Sequence, residues 1–114
     1  MKKYNNIITN YKGQKFDSKA EVTYLQMLEN LPQIKEIKTQ VRYPLLNMEG
    51  KKRLAYIVDF EVITEAGNEY LIELKGCLTA ANVVKMSYFQ FVYKKKVHVV
   101  RTSGLKKFDV SFII

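Results

Sequence analysis

Asp59 and, fourteen residues later, Glu73-Leu74-Lys75 supply two carboxylates and an ammonium that adjacent strands can bring to one point. The flanking segments Leu54-Ala55-Tyr56-Ile57-Val58-Asp59-Phe60 and Tyr70-Leu71-Ile72-Glu73-Leu74-Lys75-Gly76 are rich in β-branched and aromatic residues and read as strands. Alternate strand residues share a face, so Glu73 and Lys75 point the same way. Charges on strands this apolar are costly unless paired. A divalent cation beside a scissile phosphate would pair them. Phosphodiester hydrolysis needs a nucleophile at neutral pH, a Lewis acid on the phosphoryl oxygen, and help for the leaving alkoxide. Mg2+ held by one or two carboxylates, with water and substrate oxygens completing its shell, supplies most of that.

The turn between the strands decides whether the acids meet. Glu65-Ala66-Gly67 reads as a three-residue loop with Gly67 in the left-handed region. That loop sets Thr64 opposite Asn68, and stepping inward sets Asp59 opposite Glu73. Directly opposed Cβ atoms lie about 4.5–5.5 Å apart, close enough to share one cation. A loop one residue shorter or longer would send the acids to opposite faces. An ordinary cross-strand ion pair, in which Lys75 neutralises one acid, is the competing reading and is worth little energetically.

A third acid, Glu21, comes from an amphipathic helix expected over Asp17 to Leu31 and stopped by Pro32. Ala20, Tyr24, Met27, Leu28 and Leu31 form one face of it, and Lys19, Thr23, Gln26 and Asn30 the other. Glu21 falls inside the apolar arc. Ser18-Lys19-Ala20-Glu21 also matches a capping box, in which Glu21 bonds back to the Ser18 N–H. A first-turn glutamate can cap and also face a cleft, so both roles stand. Without metal the three acids repel one another and raise at least one pKa.

Phe16-Asp17-Ser18-Lys19-Ala20-Glu21, Val58-Asp59-Phe60 and Ile72-Glu73-Leu74-Lys75-Gly76 together resemble the signature of the PD-(D/E)XK nuclease superfamily. The order helix-Glu, strand-Asp, strand-Glu-x-Lys-Gly is similar to small phage nucleases of the endonuclease I junction-resolvase type and a related family of uncharacterised phage proteins. It also resembles the N-terminal catalytic domain of the endonuclease subunit of heteromeric transposases. The resemblance spans roughly Tyr11 to Arg101, with Val58 where the superfamily has Pro. It implies a restriction-endonuclease-like α/β core and a Mg2+-dependent endodeoxyribonuclease, with Mn2+ substituting. Asp59 and Glu73 would be metal ligands, joined by the Leu74 carbonyl. Lys75 would orient the attacking water or stabilise developing charge, and Glu21 would hold a second metal or a metal-bound water. Branched DNA such as a Holliday junction is the substrate implied, acted on by a homodimer. Restriction-like or transposase-associated cleavage of duplex is the nearest variant, and a non-catalytic basic nucleic-acid-binding module the reading from another class.

Charge agrees with a DNA partner. The chain carries 19 Lys+Arg against 11 Asp+Glu, a net charge of +8. Five of the acids nevertheless fall between Asp59 and Glu73, which suits a metal site set in a phosphate-binding surface. Candidate phosphate contacts are Lys12 and Lys15, Lys51-Lys52-Arg53, Lys85, and Lys94-Lys95-Lys96, although each alone fits an ordinary solvated face.

The 114 residues suffice for one domain, with a core over about 11–101 and a tail over 102–114. The element order is αβββαβ, a mixed sheet flanked by helices. Met1 to Gln14 reads as a polar arm or short strand, and Ile34 to Leu46 as a strand whose Pro44 suggests an edge or irregular end. Thr79 to Tyr93 is the second helix, capped by Thr79 and expected to bury Val84, Tyr88 and Phe91. Lys96 to Arg101 is the last strand, from which His98 is expected to face outward. The apolar end, Val110-Ser111-Phe112-Ile113-Ile114, either packs back on the domain or buries against a second subunit. No apolar run is long enough for a membrane and no signal peptide is read, so a cytoplasmic protein is expected, in a bacterial host if phage-encoded. The lone Cys77 excludes an intrachain disulfide and is expected to be a packed thiol. A single histidine leaves little for zinc or histidine-based nucleophilic schemes, and no small-molecule cofactor is expected.

Overall fold

A computed structural model describes residues 9–16, 18–46, 53–75, 79–102 and 109–113. A hairpin of β1 (Thr9–Tyr11) and β2 (Gln14–Phe16) precedes α1 (Lys19–Glu29). Then follow β3 (Ile34–Leu46), β4 (Arg53–Thr64), β5 (Glu69–Lys75), α2 (Ala80–Tyr93) and β6 (Val97–Arg101). From α1 onward this is the αβββαβ order expected. The main sheet runs β3-β4-β5-β6, antiparallel at the first two junctions and parallel at the last. The parallel pair needs a crossover, and α2 supplies it. Among the described residues no helix is long and apolar enough to cross a membrane.

Each face of the sheet carries one helix. On the α1 face, Tyr24, Leu25 and Leu28 pack with Phe60, Val62, Ile72, Leu74 and Val100. On the α2 face, Phe89 packs with Leu45, Tyr56, Val58, Leu71 and Val97. Val110, Phe112 and Ile113 fold back on the α1 side, where the Tyr24 hydroxyl donates to the Asp109 carbonyl at 2.8 Å. The apolar end is thus partly accounted for within the chain.

Local chemistry explains the helix boundaries. The Ser18 hydroxyl caps α1 by accepting from the Glu21 N–H at 3.3 Å, half of the capping box. Phe16 belongs to β2 rather than to the helix, and is buried. Thr79 caps α2 as expected, accepting from the Asn82 N–H at 3.2 Å. Pro44 lies on β3, an edge strand of this sheet, where a missing donor costs least.

Two expectations are corrected. Val84, Tyr88 and Phe91 are exposed, and Phe89 is the α2 residue that is fully buried. The helix is apolar on both sides, and the aromatic rings beneath it decide. Phe89 lies 4.8 Å from the Tyr56 ring and 4.9 Å from the Tyr43 ring, contacts that reversing the helix would lose. His98 is half-buried rather than outward, stacked on Phe112 at 4.4 Å, and burial pulls its pKa down.

One irregularity shapes everything near the acids. Phe60 and Val62 face α1, whereas Val58 and Tyr56, of the same parity on β4, face α2. The paired strand β3 switches at the same level, with Ile37 toward α1 and Tyr43 and Leu45 toward α2. Between the pairs Thr39↔Phe60 and Val41↔Val58 stand Gln40 and Asp59, and Gln40 has a φ of +53°. That left-handed residue adds the half-turn that carries both strands' inward faces from one side of the sheet to the other. Asp59 sits at the crossover.

Candidate functional site

The β4–β5 turn closes as the sequence implies. Gly67 has a φ of +90°, its N–H donates to the Thr64 carbonyl at 2.9 Å, and the Thr64 N–H donates to the Asn68 carbonyl at 2.9 Å. A side chain at that φ would be strained, so glycine is required by the loop type. The ladder then runs Ile63↔Glu69, Val62↔Tyr70, Glu61↔Leu71 and Phe60↔Ile72, a register that, continued one step, would set Asp59 opposite Glu73.

The ladder stops at Phe60↔Ile72, one step before the acids. Its alternation would next have the Leu74 N–H donate to the Val58 carbonyl. The Leu74 N–H donates instead to Asp59 Oδ2 at 2.8 Å. A side chain therefore replaces backbone where the crossover at Gln40 turns β4 away, and the strands open into a fork with Asp59 in its throat. An extended residue presents its N–H and C=O to the same neighbour, so the Leu74 carbonyl also faces this fork.

Glu73 is buried and held from two sides. The Tyr56 hydroxyl donates to its Oε1 at 2.6 Å, and Lys75 Nζ lies 2.9 Å from its Oε2. The side chain of Glu73 is 8% exposed against 26% for Lys75, so the ammonium is the member of the pair that solvent reaches. Tyr56 is in turn stacked on Phe89 at 4.8 Å. Burial, the bond to Glu73 and the charges of Glu73 and Asp59 all push the Tyr56 phenol far up, so it remains a donor.

Asp59 shows how the site is charged. Burial and then the Glu21 carboxylate lift its pKa from the usual 3.8 to about 7, Glu73 adding to the lift. The Leu74 N–H and Lys75 oppose them. Glu21, from the first turn of α1, is therefore close enough to be felt, as are both partners on β5. Glu21, Glu73 and Lys75 all act electrostatically on Asp59, so that three carboxylates and one ammonium bear on this position.

The donor set suits a hard cation, since carboxylate and carbonyl oxygens are the usual ligands of Mg2+ and Mn2+. Among the described residues no three carboxylate, imidazole or thiol groups are drawn together at coordination distance. Mg2+ does not require three, because it keeps several waters and takes one or two protein carboxylates. Asp59 and Glu73, beside the Leu74 carbonyl, are the groups that could hold it.

The candidate phosphate contacts divide. Lys15 and Lys85 are exposed, and Lys94 is exposed with its ammonium 4.8 Å from the Phe91 ring. Lys12 is committed to Glu29 at 3.2 Å, beside a groove of about 290 Å³ at the far end of α1 from Glu21. Lys95 is paired with Glu69, and Lys96 is exposed. Lys51 and Lys52 lie outside the described residues, as do Cys77 and the side chain of Arg53.

Two contributors escaped the sequence reading. Tyr56 lies three residues before Asp59, and only the change of facing at Asp59 brings its hydroxyl under Glu73. Gln40 carries no cue, because a left-handed strand residue is normally announced by Gly or Asn.

A model of the family described as protein of unknown function (DUF1064) matches residues 1–107, nearly the whole chain, and the chain belongs to that family. No curated protein and no solved structure matches it.

Proposed function

We propose that this DUF1064 protein is a Mg2+-dependent endodeoxyribonuclease of the PD-(D/E)XK type, with its αβββαβ domain built on the restriction-endonuclease plan. The observation that carries the reading is the Asp59 carboxyl, lifted to about 7 in a fork shared with Glu73, Lys75 and Glu21. A protein assembles mutually repelling acids at an opening between strands when something cationic relieves them. The basic surface of a +8 chain then supplies the attraction for a polyphosphate.

Mg2+ bound here would polarise the phosphoryl oxygen and make a coordinated water more acidic. The chain's own groups do the rest. Asp59 and Glu73 would hold the cation, and Tyr56 and Lys75 fix the Glu73 carboxylate so that its position is preset. Lys75, the exposed partner, donates toward the attacking water or the charge building on the phosphate. Glu21 deepens the negative potential that draws the cation in. Branched DNA of the four-way-junction kind is the proposed substrate. The proposed setting is cytoplasm, that of a bacterial host if the protein is phage-encoded.

Supercoiled plasmid, linear duplex and a synthetic four-way junction, each with Mg2+ or EDTA, test this. Cleavage should require Mg2+, favour the junction, and disappear in Asp59→Asn and Lys75→Ala while DNA binding persists. Cleavage surviving both substitutions would show the site to be misassigned. Binding with no cleavage of any substrate would favour a non-catalytic nucleic-acid-binding module, and preference for duplex would move the reading to a restriction-like or transposase-associated enzyme.

A further inference from the structure

The outward face of α2 has no role in the site. Ala81, Val84, Tyr88 and Phe91 follow one another at spacings of three, four and three residues, the seam of a helix that packs against another helix. Val84 is 68% exposed, Phe91 71%, Val92 45% and Tyr88 41%. Ala80, Ala81 and Ser87 lie on the same side and are exposed, and their small side chains permit close approach. Lys85 is the only charged residue in the helix, and it stands at the margin of this strip. In a chain of net charge +8, four turns of exposed helix without a charge on the outer strip are not a phosphate-binding surface. The described tail residues Val110, Phe112 and Ile113 do not cover the strip either, because they lie on the α1 side of the sheet.

We infer that this strip is a self-association surface, through which α2 packs against α2 of a second copy of the chain. The area fits a second copy. The four large side chains expose on the order of 500 Å², while a stable interface takes roughly 800 Å² per partner, about 65% apolar in homodimers. The strip alone thus supplies the apolar centre of a standard interface. Lys85 on one margin, and Lys94 with its ammonium over the Phe91 ring, form a polar rim. α2 begins five residues after Lys75, so the pairing joins two acid forks in one particle. The inference does not depend on what those forks do.

Sedimentation equilibrium and light scattering on the full chain test it, with Val84→Glu and Phe91→Glu as variants. Both residues are exposed, so folding should be retained, and far-UV circular dichroism with thermal melting checks that. Wild type should run at twice 13.3 kDa. Each variant should raise the dimer dissociation constant by at least about 30-fold, as a central aromatic or aliphatic anchor does, with an unchanged melt at monomer concentrations. A wild type that stays monomeric, or folded variants that stay dimeric, would overturn the inference. A monomer whose Phe91→Glu variant loses affinity for single-stranded DNA would also overturn it, assigning the face to unpaired bases.

Discussion

Removing the charge of Asp59 while keeping its shape should stabilise the metal-free protein, and only at neutral and alkaline pH. The carboxyl is lifted from 3.8 to about 7 by burial first, then by Glu21 and Glu73. An acid whose folded pKa lies above its unfolded value favours the folded state while it is protonated. That advantage is complete below about pH 4 and is lost as the pH rises through about 7. A lift of about three pH units corresponds to a loss of about 4 kcal/mol as a ceiling, at 1.36 kcal/mol per unit. Asn at position 59 avoids the loss and still offers an oxygen to the Leu74 N–H, now 2.8 Å from Asp59 Oδ2. Half the ceiling, about 2 kcal/mol, would raise the melting temperature by roughly 8 °C for a domain of this size. The assay is thermal and urea unfolding of wild type and Asp59→Asn in EDTA, from pH 4 to pH 8.5. The stability difference should be near zero at the acid end, grow through pH 5–7 and level off above. A variant no more stable at pH 8, or equally favoured at pH 4, would refute the charged-fork argument.

Millimolar Mg2+ or Mn2+ should raise the melting temperature of wild type at pH 8 and leave Asp59→Asn unmoved, because binding to the folded state alone stabilises it. A missing shift in wild type would count against a cation site. Tyr56→Phe removes the 2.6 Å donor from Glu73 Oε1 and leaves a buried carboxylate under-satisfied. The cost should be about 1–3 kcal/mol by urea unfolding, with a loss under 0.5 kcal/mol arguing that Tyr56 does not hold Glu73. Gln40→Gly should match or exceed wild-type stability, whereas Gln40→Val should cost roughly 1–2 kcal/mol, because a β-branched residue resists a φ of +53°. Equal tolerance of both would remove the crossover at that residue.

What could be read before folding depended on local rules. Gly67 after Glu65-Ala66 specifies a loop length, and loop length specifies the register that runs to Phe60↔Ile72, one step short of Asp59 and Glu73. Ser18 and Thr79 announce the two helices by capping chemistry, and the αβββαβ order follows from where the apolar period changes. What stayed hidden depends on contacts between distant residues. The facing of α2 is set by the packing of Phe89 against Tyr56 and Tyr43, and no pattern within the helix separates that side from Val84, Tyr88 and Phe91. The half-turn at Gln40 uses a residue type that gives no sign of it, so the opening of β4 from β5 and the reach of Tyr56 to Glu73 were equally hidden. His98 faces inward because Phe112, fourteen residues on, folds back to stack on it.

Anomalous diffraction from crystals soaked in Mn2+ interrogates the metal centre most directly. The account predicts one strong peak at about 2.0–2.2 Å from carboxylate oxygens of Asp59 and Glu73, near the Leu74 carbonyl and absent in Asp59→Asn. Full occupancy of Mn2+ elsewhere on the molecule, with the fork between β4 and β5 holding only water, would contradict it.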